Sequence, residues 1–260
     1  MVDTALWVIT GATLLVLYSP VFIGALFSVV EITRGQVQWD SATLVWYARL
    51  WQNQSIVDAI TTTLMVAVIS VAAASLLAII LALYVEWEGA VAGRWLELVV
   101  YLPFVLPPIV TGLSLLIFFA DLGIARGMLT VAIGHTIFVL AVVYRLVQSR
   151  LRALPRSLVE ASSDLGATGW QTFRHVLWPQ MASSVATGAI LAFTLSFDET
   201  LITSFLAGDT MTLPLRLWAM MRVGFTPEIN ALVTLVLLLS ILLTVVVGLR
   251  MQPPLQMDED

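Results

Sequence analysis

Apolar residues follow one another along this chain in long, nearly uninterrupted stretches. A helix needs about 20 apolar residues to cross the roughly 30 Å hydrocarbon core of a bilayer. Six stretches have that length, and we predict one transmembrane helix in each: residues 5–30, 56–85, 95–120, 128–148, 183–206 and 229–249. Continuous runs favour helices over the short alternating strands of a membrane barrel. The pattern therefore predicts an all-α membrane protein with six transmembrane helices, forming a single domain over residues 1–260.

The composition agrees with a membrane location and excludes several kinds of site. Of the 260 residues, 60% are hydrophobic and 11% are charged, and the mean hydropathy is +0.97. Soluble domains are about half apolar and roughly a quarter charged. The absence of cysteine excludes disulfides and thiolate metal sites, and His135 and His175 are too far apart in sequence to support a histidine metal site. The net charge of −5 gives no basic footprint for nucleic acid.

The arginines give the predicted spans an orientation. An even number of spans places both termini on one side of the membrane, and arginine is enriched in cytoplasmic loops. Five arginines fall in or beside the loop between spans four and five: Arg145, Arg150, Arg152, Arg156 and Arg174. We therefore predict that this loop and both termini are cytoplasmic. The first stretch is too long for a signal peptide and has no clear cleavage site, so we interpret it as an uncleaved first helix.

A loop on the predicted outer side, residues 207–228, has its own helical pattern. Leu215, Trp218 and Met221 recur at helical spacing, which predicts a short amphipathic helix at the membrane surface. One interpretation is a docking surface or an outer gate, and the other is an interfacial belt of aromatic residues. The candidate residues for docking or gating are Arg216, Trp218 and Arg222.

The predicted cytoplasmic loop, residues 149–182, carries more helix punctuation than a simple connection needs. Gly166 suits the left-handed position just after the end of a first short helix. Thr168 and Gln171 have the spacing of a capping box, which starts a second helix. Pro179 is expected to stop that helix before span five. The loop therefore predicts a compact helix–turn–helix unit.

The first of these short helices should begin near Pro155 and present Leu158, Ala161 and Leu165 on one face. Helices this short are marginal in water and need a surface to pack against. Two surfaces remain open on physical grounds. The pair of helices rests either on lipid, with arginines near anionic headgroups, or on a protein partner.

The same loop carries a family signature. It resembles the EAA signature, E-A-A-x3-G-x9-I-x-L-P, of the permease subunits of binding-protein-dependent ABC importers. The positions that match or closely replace it are Glu160, Ala161, Ser162, Gly166, Val176, Trp178 and Pro179. Ser162, Val176 and Trp178 depart from the signature, while the Glu, Gly and Pro spacing is intact.

The resemblance extends over most of the chain. Residues 102–119, 134–151 and 195–235 are similar to the polyamine-type (spermidine and putrescine) branch of these permeases, and most of all to its second permease subunit. That branch also resembles importers of other small organic solutes, so another solute remains an alternative. The resemblance implies a bacterial inner-membrane protein with the type I permease architecture. The partners it implies are a sister permease, a pair of ATPase subunits and an extracytoplasmic binding protein.

In that family the loop forms a cytoplasmic coupling helix that lies in a groove of the ATPase. The residues that the resemblance assigns to this contact are Glu160, Ala161, Gly166, Trp170, Phe173 and Pro179. The chain has no lysine, so it cannot form the usual phosphate-binding loop G-x4-G-K-[ST]. We therefore expect a non-catalytic subunit that binds no cofactor, with ATP and Mg²⁺ on the partner ATPase.

Candidate path residues lie at membrane depth. Asp198 and Glu199 fall in the outer half of predicted span five, where carboxylates usually face a cavity or a partner and would suit a cationic solute. The alternative is that the span ends earlier and both acids are simply hydrated. Tyr101 and Phe104 are aromatic candidates for contact with an amine, or else packing residues.

Two further features concern the shape of the spans. Pro103, Pro107 and Pro108 must kink or break span three, and backbone freed in this way can line a cavity. His135 in span four is expected to be a neutral hydrogen-bonding group between helices rather than a proton relay. Thr226 and Pro227 suit the start of span six.

Two rival classes fit less well. A self-contained transporter or channel usually has repeated halves with buried charges at matched positions, and neither is visible here. An intramembrane enzyme would need a catalytic constellation, and no His–Ser or paired-Asp motif is recognisable.

Overall fold

The computed structural model describes residues 2–33, 36–87, 93–223 and 226–250, and most of these residues are helical. The helices are α1 (Val2–Phe27), α2 (Val45–Gln52), α3 (Gln54–Trp87), α4 (Gly93–Val105), α5 (Pro108–Asp121), α6 (Met128–Ala153), α7 (Ser157–Asp164), α8 (Gly169–Thr172), α9 (Trp178–Asp198), α10 (Leu201–Leu206), α11 (Leu213–Val223) and α12 (Pro227–Arg250). A π-helical turn, Phe173–Leu177, joins α8 directly to α9, and a 3₁₀ turn, Trp39–Ser41, precedes α2.

A small antiparallel hairpin departs from the all-α expectation. Strand β1 (Glu31–Thr33) pairs with β2 (Gln36–Gln38), with Ile32 opposite Val37. The strands are three residues long, so the hairpin is a local feature of the loop after α1. The fold class is therefore mostly helical rather than purely helical.

Four helices in the described part of the chain are long and apolar enough to cross a membrane. Their apolar segments are Leu6–Phe27, Gln54–Glu86, Met128–Ala153 and Gly169–Asp198. The bent pair α4–α5 makes a fifth span if it is counted as one. The sixth predicted span, residues 229–249, lies within α12, which begins at Pro227 as its sequence indicated.

The third predicted span is broken rather than gently kinked. The chain bends by 109° between α4 and α5, and Pro107, with φ −54° and ψ 134°, is the N-cap residue of α5. Because Pro107 has no N–H, the carbonyl of Pro103 four residues earlier loses its helical donor. The hydroxyl of Thr111 donates to that carbonyl at 3.3 Å. The break is thus compensated by a side chain from the following helix.

The fifth predicted span differs at both ends. Helical structure starts at Gly169, well before residue 183, and α9 ends at Asp198. The chain then turns through Glu199 and Thr200 into the separate short helix α10. Only part of the predicted segment 183–206 is therefore one straight helix.

The chain groups into two compact units, each with its own packing. The first unit comprises Met1–Val57 and Leu217–Asp260. In it, α12 packs on α1 and α2, the amide of Asn230 donates to the carbonyl of Phe27 at 3.4 Å, and the hydroxyls of Ser28 and Tyr47 lie 2.7 Å apart. None of the described side chains along the apolar segment of α1 is buried, as expected for a helix that faces lipid.

The second unit, Asp58–Arg216, is built around α6. Helices α4, α5, α9 and α10 all pack on it. Gly188 allows α9 to approach α6 closely, because a Cβ there would lie 3.2 Å from the Cα of Val143. The fully buried large side chains of this unit include Tyr144, Val139, Val143, Met181, Ile202 and Leu206. The loop that carries the family signature connects the C-terminal end of α6 to the N-terminal end of α9.

Candidate functional site

The turn between α7 and α8 is fixed by backbone hydrogen bonds. Gly166 has φ +79°, in the left-handed region where a side chain is strained. Its N–H donates to the carbonyl of Ser163 at 2.9 Å, and the N–H of Ala167 donates to the carbonyl of Ser162 at 3.1 Å. These two bonds form a Schellman motif. The helix end expected at Gly166 is confirmed.

The start of α8 is held by the capping box indicated by the sequence. The N–H of Gln171 donates to the hydroxyl of Thr168 at 3.4 Å, and the N–H of Thr168 donates to Oε1 of Gln171 at 2.8 Å. A buried pair of hydroxyls, Ser162 and Thr172, lies 2.8 Å apart and ties α7 to α8. Ser162 is one of the departures from the family signature, and Thr172 was not singled out from the sequence. The two helices therefore form a folded unit.

The expectation that Pro179 stops the second helix is wrong. The chain stays helical from Gly169 to Asp198, and Pro179 lies in the first turn of α9. The π-helical turn Phe173–Leu177 comes just before it. A π turn widens the helix where the proline ring would otherwise clash with the carbonyl four residues earlier. The second short helix is thus the N-terminal extension of α9.

The loop has apolar side chains directed in two ways. Val159, Phe173 and Leu177 pack against the core of the second unit. Another group is left at the surface, and we call it the exposed apolar set: Leu158, Ala161, Leu165 and Trp170. Leu165 is 89% exposed and Trp170 66% exposed, although Trp170 stacks on Phe173 with ring centroids 5.4 Å apart. The face expected on the first helix therefore points away from the core.

Glu160 lies at the edge of an open cleft beside this set. The cleft has a volume of ≈ 460 Å³, and Glu86, Arg152 and Arg156 also line it. The carboxylate of Glu160 is exposed and makes no hydrogen bond or ion pair with any part of the chain that the structure describes. An acid without an internal partner beside exposed apolar residues is typical of a contact surface.

One arginine ties the two ends of the loop together. Nε of Arg150, near the end of α6, donates to the carbonyl of Gln180 at 2.8 Å, and Nη2 donates to Oε1 of the same residue at 3.0 Å. Both bonds run from one guanidinium to one residue, which fixes the direction of the contact as well as its distance. These bonds therefore hold the two ends of the loop together, where it joins α6 and α9.

A second arginine ties the loop base to two other helices. Nε of Arg152 lies 2.7 Å from Oε1 of Glu86 on α3, and its Nη2 lies 2.7 Å from Oε1 of Glu97 on α4. The amide of Gln148 donates to the same two oxygens, at 3.2 and 2.6 Å. We call these four residues the arginine clamp. In the sequence these residues are only isolated polar positions at the ends of apolar stretches, and nothing there indicates that they meet.

The comparisons with known proteins decide the family. Residues 74–252 match the family of binding-protein-dependent transport system inner membrane components. The chain belongs to this family. It is 35% identical over 229 residues to the putrescine transport system permease protein PotI of Escherichia coli K12, covering 85% of this chain and 81% of that protein. It is 32% identical over 230 residues to the spermidine/putrescine permease protein PotC of the same strain, covering 88% and 87%.

Solved structures show the same fold. A bacterial ABC transporter that imports alginate matches with a TM-score of 0.76 over 96% of both chains at 16% identity. The alginate transporter in complex with its pentasaccharide-bound periplasmic protein matches with a TM-score of 0.64 at 17% identity. The chain is thus a permease of a binding-protein-dependent ABC importer and a multi-pass inner-membrane protein, which confirms the resemblance drawn from the sequence.

The four path candidates of the permease do not meet at one place. The ring of Tyr101 packs edge-on against Tyr144, with centroids 5.9 Å apart, and Phe104 packs on Phe138 at 5.6 Å. Glu199 instead lines a small void together with His135. His135 and Tyr144 are nine residues apart on α6, which is about 13 Å of helix rise. Tyr101 is therefore far from Glu199 along α6, whereas Phe104 packs on Phe138, only three residues from His135.

The two acids of the fifth span have different surroundings. Asp198 is exposed at the last turn of α9. Glu199 is half-buried, and its Oε1 accepts a hydrogen bond from the N–H of Ile202 at 2.9 Å. The earlier end of the helix agrees with the hydrated alternative for Asp198, while Glu199 caps the first turn of α10.

The three candidates for docking or gating lie on α11, the helix expected from their spacing. Trp218 is 49% exposed and Arg222 is exposed. Arg216 is half-buried, and its Nε has no hydrogen-bond partner within the described residues. Within the same residues, no group of three or more His, Asp or Glu side chains is arranged to hold a metal ion.

Proposed function

We propose that the permease forms, with a sister permease chain, the membrane path for a polyamine or a similar small organic cation. The support is the similarity to PotI and PotC, whose names give putrescine and spermidine/putrescine as their cargo, over more than four fifths of this chain. A binding protein on the outer side would deliver the cation. A pair of ATPase subunits would bind ATP and Mg²⁺ and supply the energy.

The membrane architecture that goes with this function has six spans in one permease domain, residues 1–260. Helices α4 and α5 then act together as span three, and α12 is span six. Both termini and the loop between α6 and α9 lie in the cytoplasm, in keeping with the arginines of that loop. This chain itself is non-catalytic.

We infer that the loop between α6 and α9 is the coupling helix that docks on the ATPase. The observation that carries this inference is the exposed apolar set on a folded two-helix unit. A loop that only connected two spans would turn Leu165 and Trp170 inward or replace them with polar residues, whereas here they stay 89% and 66% exposed. Glu160 would pair with a cation of the ATPase, and Gly166 and Pro179 would shape the unit that presents it.

The charges of the loop favour a protein over lipid as the covering surface. Anionic headgroups attract arginine but repel carboxylates. Glu160 and Asp164 are both exposed on α7, beside the exposed apolar set. A protein groove with a basic residue satisfies these acids, whereas a membrane surface does not.

The test compares Glu160→Ala with Asp121→Asn, an exposed acid at the end of α5, in complexes containing the ATPase and the sister permease. Glu160→Ala should lower both co-purification of the ATPase and binding-protein-stimulated ATP hydrolysis, and Asp121→Asn should lower neither. Unchanged assembly and stimulation in Glu160→Ala would contradict the coupling role. Uptake of labelled putrescine and spermidine by the wild-type complex tests the cargo.

Two further roles complete the proposal. Asp198 and Glu199 would attract the cation near the outer end of the path, with Tyr101 and Phe104 as aromatic contacts deeper in the membrane. Trp218, Arg216 and Arg222 on α11 would form the docking surface or outer gate. Full uptake by the double variant Asp198→Asn, Glu199→Gln would remove the acids from the path.

A further inference from the structure

The break in the fifth span is closed by a buried histidine. Helix α9 ends at Asp198, and α10 begins at Leu201. His135 of α6 is 2% exposed and lies against both helices. Its Nδ1 is 2.8 Å from the hydroxyl of Ser196 on α9, and its Nε2 is 2.8 Å from the hydroxyl of Thr203 on α10. One imidazole therefore bridges the residues before and after the break.

The hydrogen bonds around this imidazole have a single consistent direction. The hydroxyl of Thr203 donates to the carbonyl of Glu199 at 2.7 Å, so it must accept from Nε2–H of His135. Nδ1 is then the acceptor and takes the hydroxyl hydrogen of Ser196. This assignment follows from the network and gives a neutral imidazole. The chain of bonds ends on the carbonyl of Glu199, inside the break itself.

Helix α10 also packs closely against both α5 and α6, on either side of the hydrogen bonds of His135. A Cβ at Gly134 would lie 2.6 Å from Leu206 and 2.9 Å from Ile202. A Cβ at Gly112 would lie 2.8 Å from the ring of Phe205 and 3.1 Å from the Cα of Ile202. Apolar contact places α10 in this notch but leaves its tilt free. The buried polar chain adds direction, because hydrogen bonds fix the angle between α9 and α10 whereas apolar contacts do not.

We propose that His135 is a positioning residue for transport: it braces the break between α9 and α10 and so fixes where Asp198 and Glu199 stand. The inference rests on the proposed function only in assigning these acids to the path. A brace of this kind lets α9 and α10 move as one body when the spans change conformation. Without it, the tilt of α10 in its notch and the position of the end of α9 vary independently, and the acids lose their fixed place.

The absence of cysteine from the chain allows this to be measured directly. Spin labels at Ser149→Cys on α6 and Ser204→Cys on α10 report the position of α10, since both residues are exposed. A matched pair, Ser149→Cys with Ser114→Cys on α5, reports a helix outside the break. The variants are His135→Phe, which fills the volume but removes both hydrogen bonds, and His135→Gln, which can still donate and accept.

His135→Phe should broaden the Ser149–Ser204 distance distribution, leave the Ser149–Ser114 distribution unchanged and lower uptake by about tenfold. His135→Gln should keep most of the wild-type uptake and a Ser149–Ser204 distance distribution close to that of the wild type. If His135→Phe does not fold, Thr203→Val, which removes only the α10 side of the brace, should show the same pattern more weakly.

The spin-label measurement needs neither substrate nor ATPase, so its outcome is independent of the proposed function. Wild-type distances in both His135→Phe and Thr203→Val would overturn the brace, and broadened distances with full uptake would overturn its role in transport.

Discussion

At the residue scale, Gly166 shows how one backbone position shapes the loop between α6 and α9. Its φ of +79° lies in the left-handed region, and nothing lies within 4 Å of where a Cβ would be. A side chain there meets no steric obstacle from neighbours, so the cost of a substitution is local backbone strain alone. Left-handed geometry costs an L-residue about 1–2 kcal/mol.

Gly166→Ala should therefore loosen the turn between α7 and α8 without disturbing the core. The expected result is faster hydrogen exchange of the amides of α7 and α8, by about five- to thirtyfold. Gly169→Ala is the matched control, because Gly169 also has open space around it but is helical. Equal exchange in the two variants would show that the turn does not depend on the left-handed glycine.

The hydroxyl pair Ser162–Thr172 is a second residue-scale feature. Both side chains are buried, and each is the hydrogen-bond partner of the other at 2.8 Å. A buried hydroxyl needs such a partner, since an unsatisfied one costs about 1–3 kcal/mol. The departure from the family signature at Ser162 is thus matched by Thr172 on the facing helix.

At the element scale, the loop between α6 and α9 is held at its base by two arginines. Arg150 joins the end of α6 to the start of α9, and Arg152 joins it to α3 and α4 through Glu86 and Glu97. Any force applied to the loop by a partner is therefore passed to four long elements rather than one. This connection suits a loop that is pulled by another protein.

Arg152→Gln should weaken this connection. The side chain of Arg152 is 55% exposed, so each ion pair alone contributes little, but its removal leaves two carboxylates close together with only an amide between them. We expect the melting temperature of the purified permease complex to fall by about 2–4 °C. Arg156→Gln, at an exposed arginine without a similar clamp, is the control. Adding Glu97→Gln to Arg152→Gln should recover part of the loss, and no recovery would contradict carboxylate repulsion as the cause.

At the scale of the whole molecule, the proposed function requires one orientation in the membrane. Ser157, at the start of α7, must face the cytoplasm, and Asp209, between α10 and α11, must face the outside. Both residues are exposed, and the chain contains no cysteine that would react in the background.

Ser157→Cys should react with a membrane-impermeant maleimide only in inside-out vesicles. Asp209→Cys should react only in intact cells or right-side-out vesicles, because the two positions lie on opposite sides of the membrane. Labelling on the opposite sides would reverse the orientation and would remove the coupling role from the loop.

The sequence by itself determined the features that depend on only a few neighbouring residues. The apolar runs predicted the long helices, and the Schellman turn at Gly166 and the capping box at Thr168 and Gln171 followed from residues at most five apart. The family followed from similar local spacing around Glu160. Local hydrogen bonding and hydrophobic length decide such features, so one sequence is enough to predict them.

Only the tertiary structure decided the features that depend on packing between distant segments. His135 meets Ser196 and Thr203 across 61 and 68 residues, and Arg152 meets Glu86 and Glu97 across 66 and 55. The 109° angle between α4 and α5, and the continuation of α9 through Pro179 by a π turn, also lay beyond local rules. A proline determines that a helix is disturbed, but the helices around it determine whether it bends, breaks or widens, because they supply the contacts that replace the lost hydrogen bond.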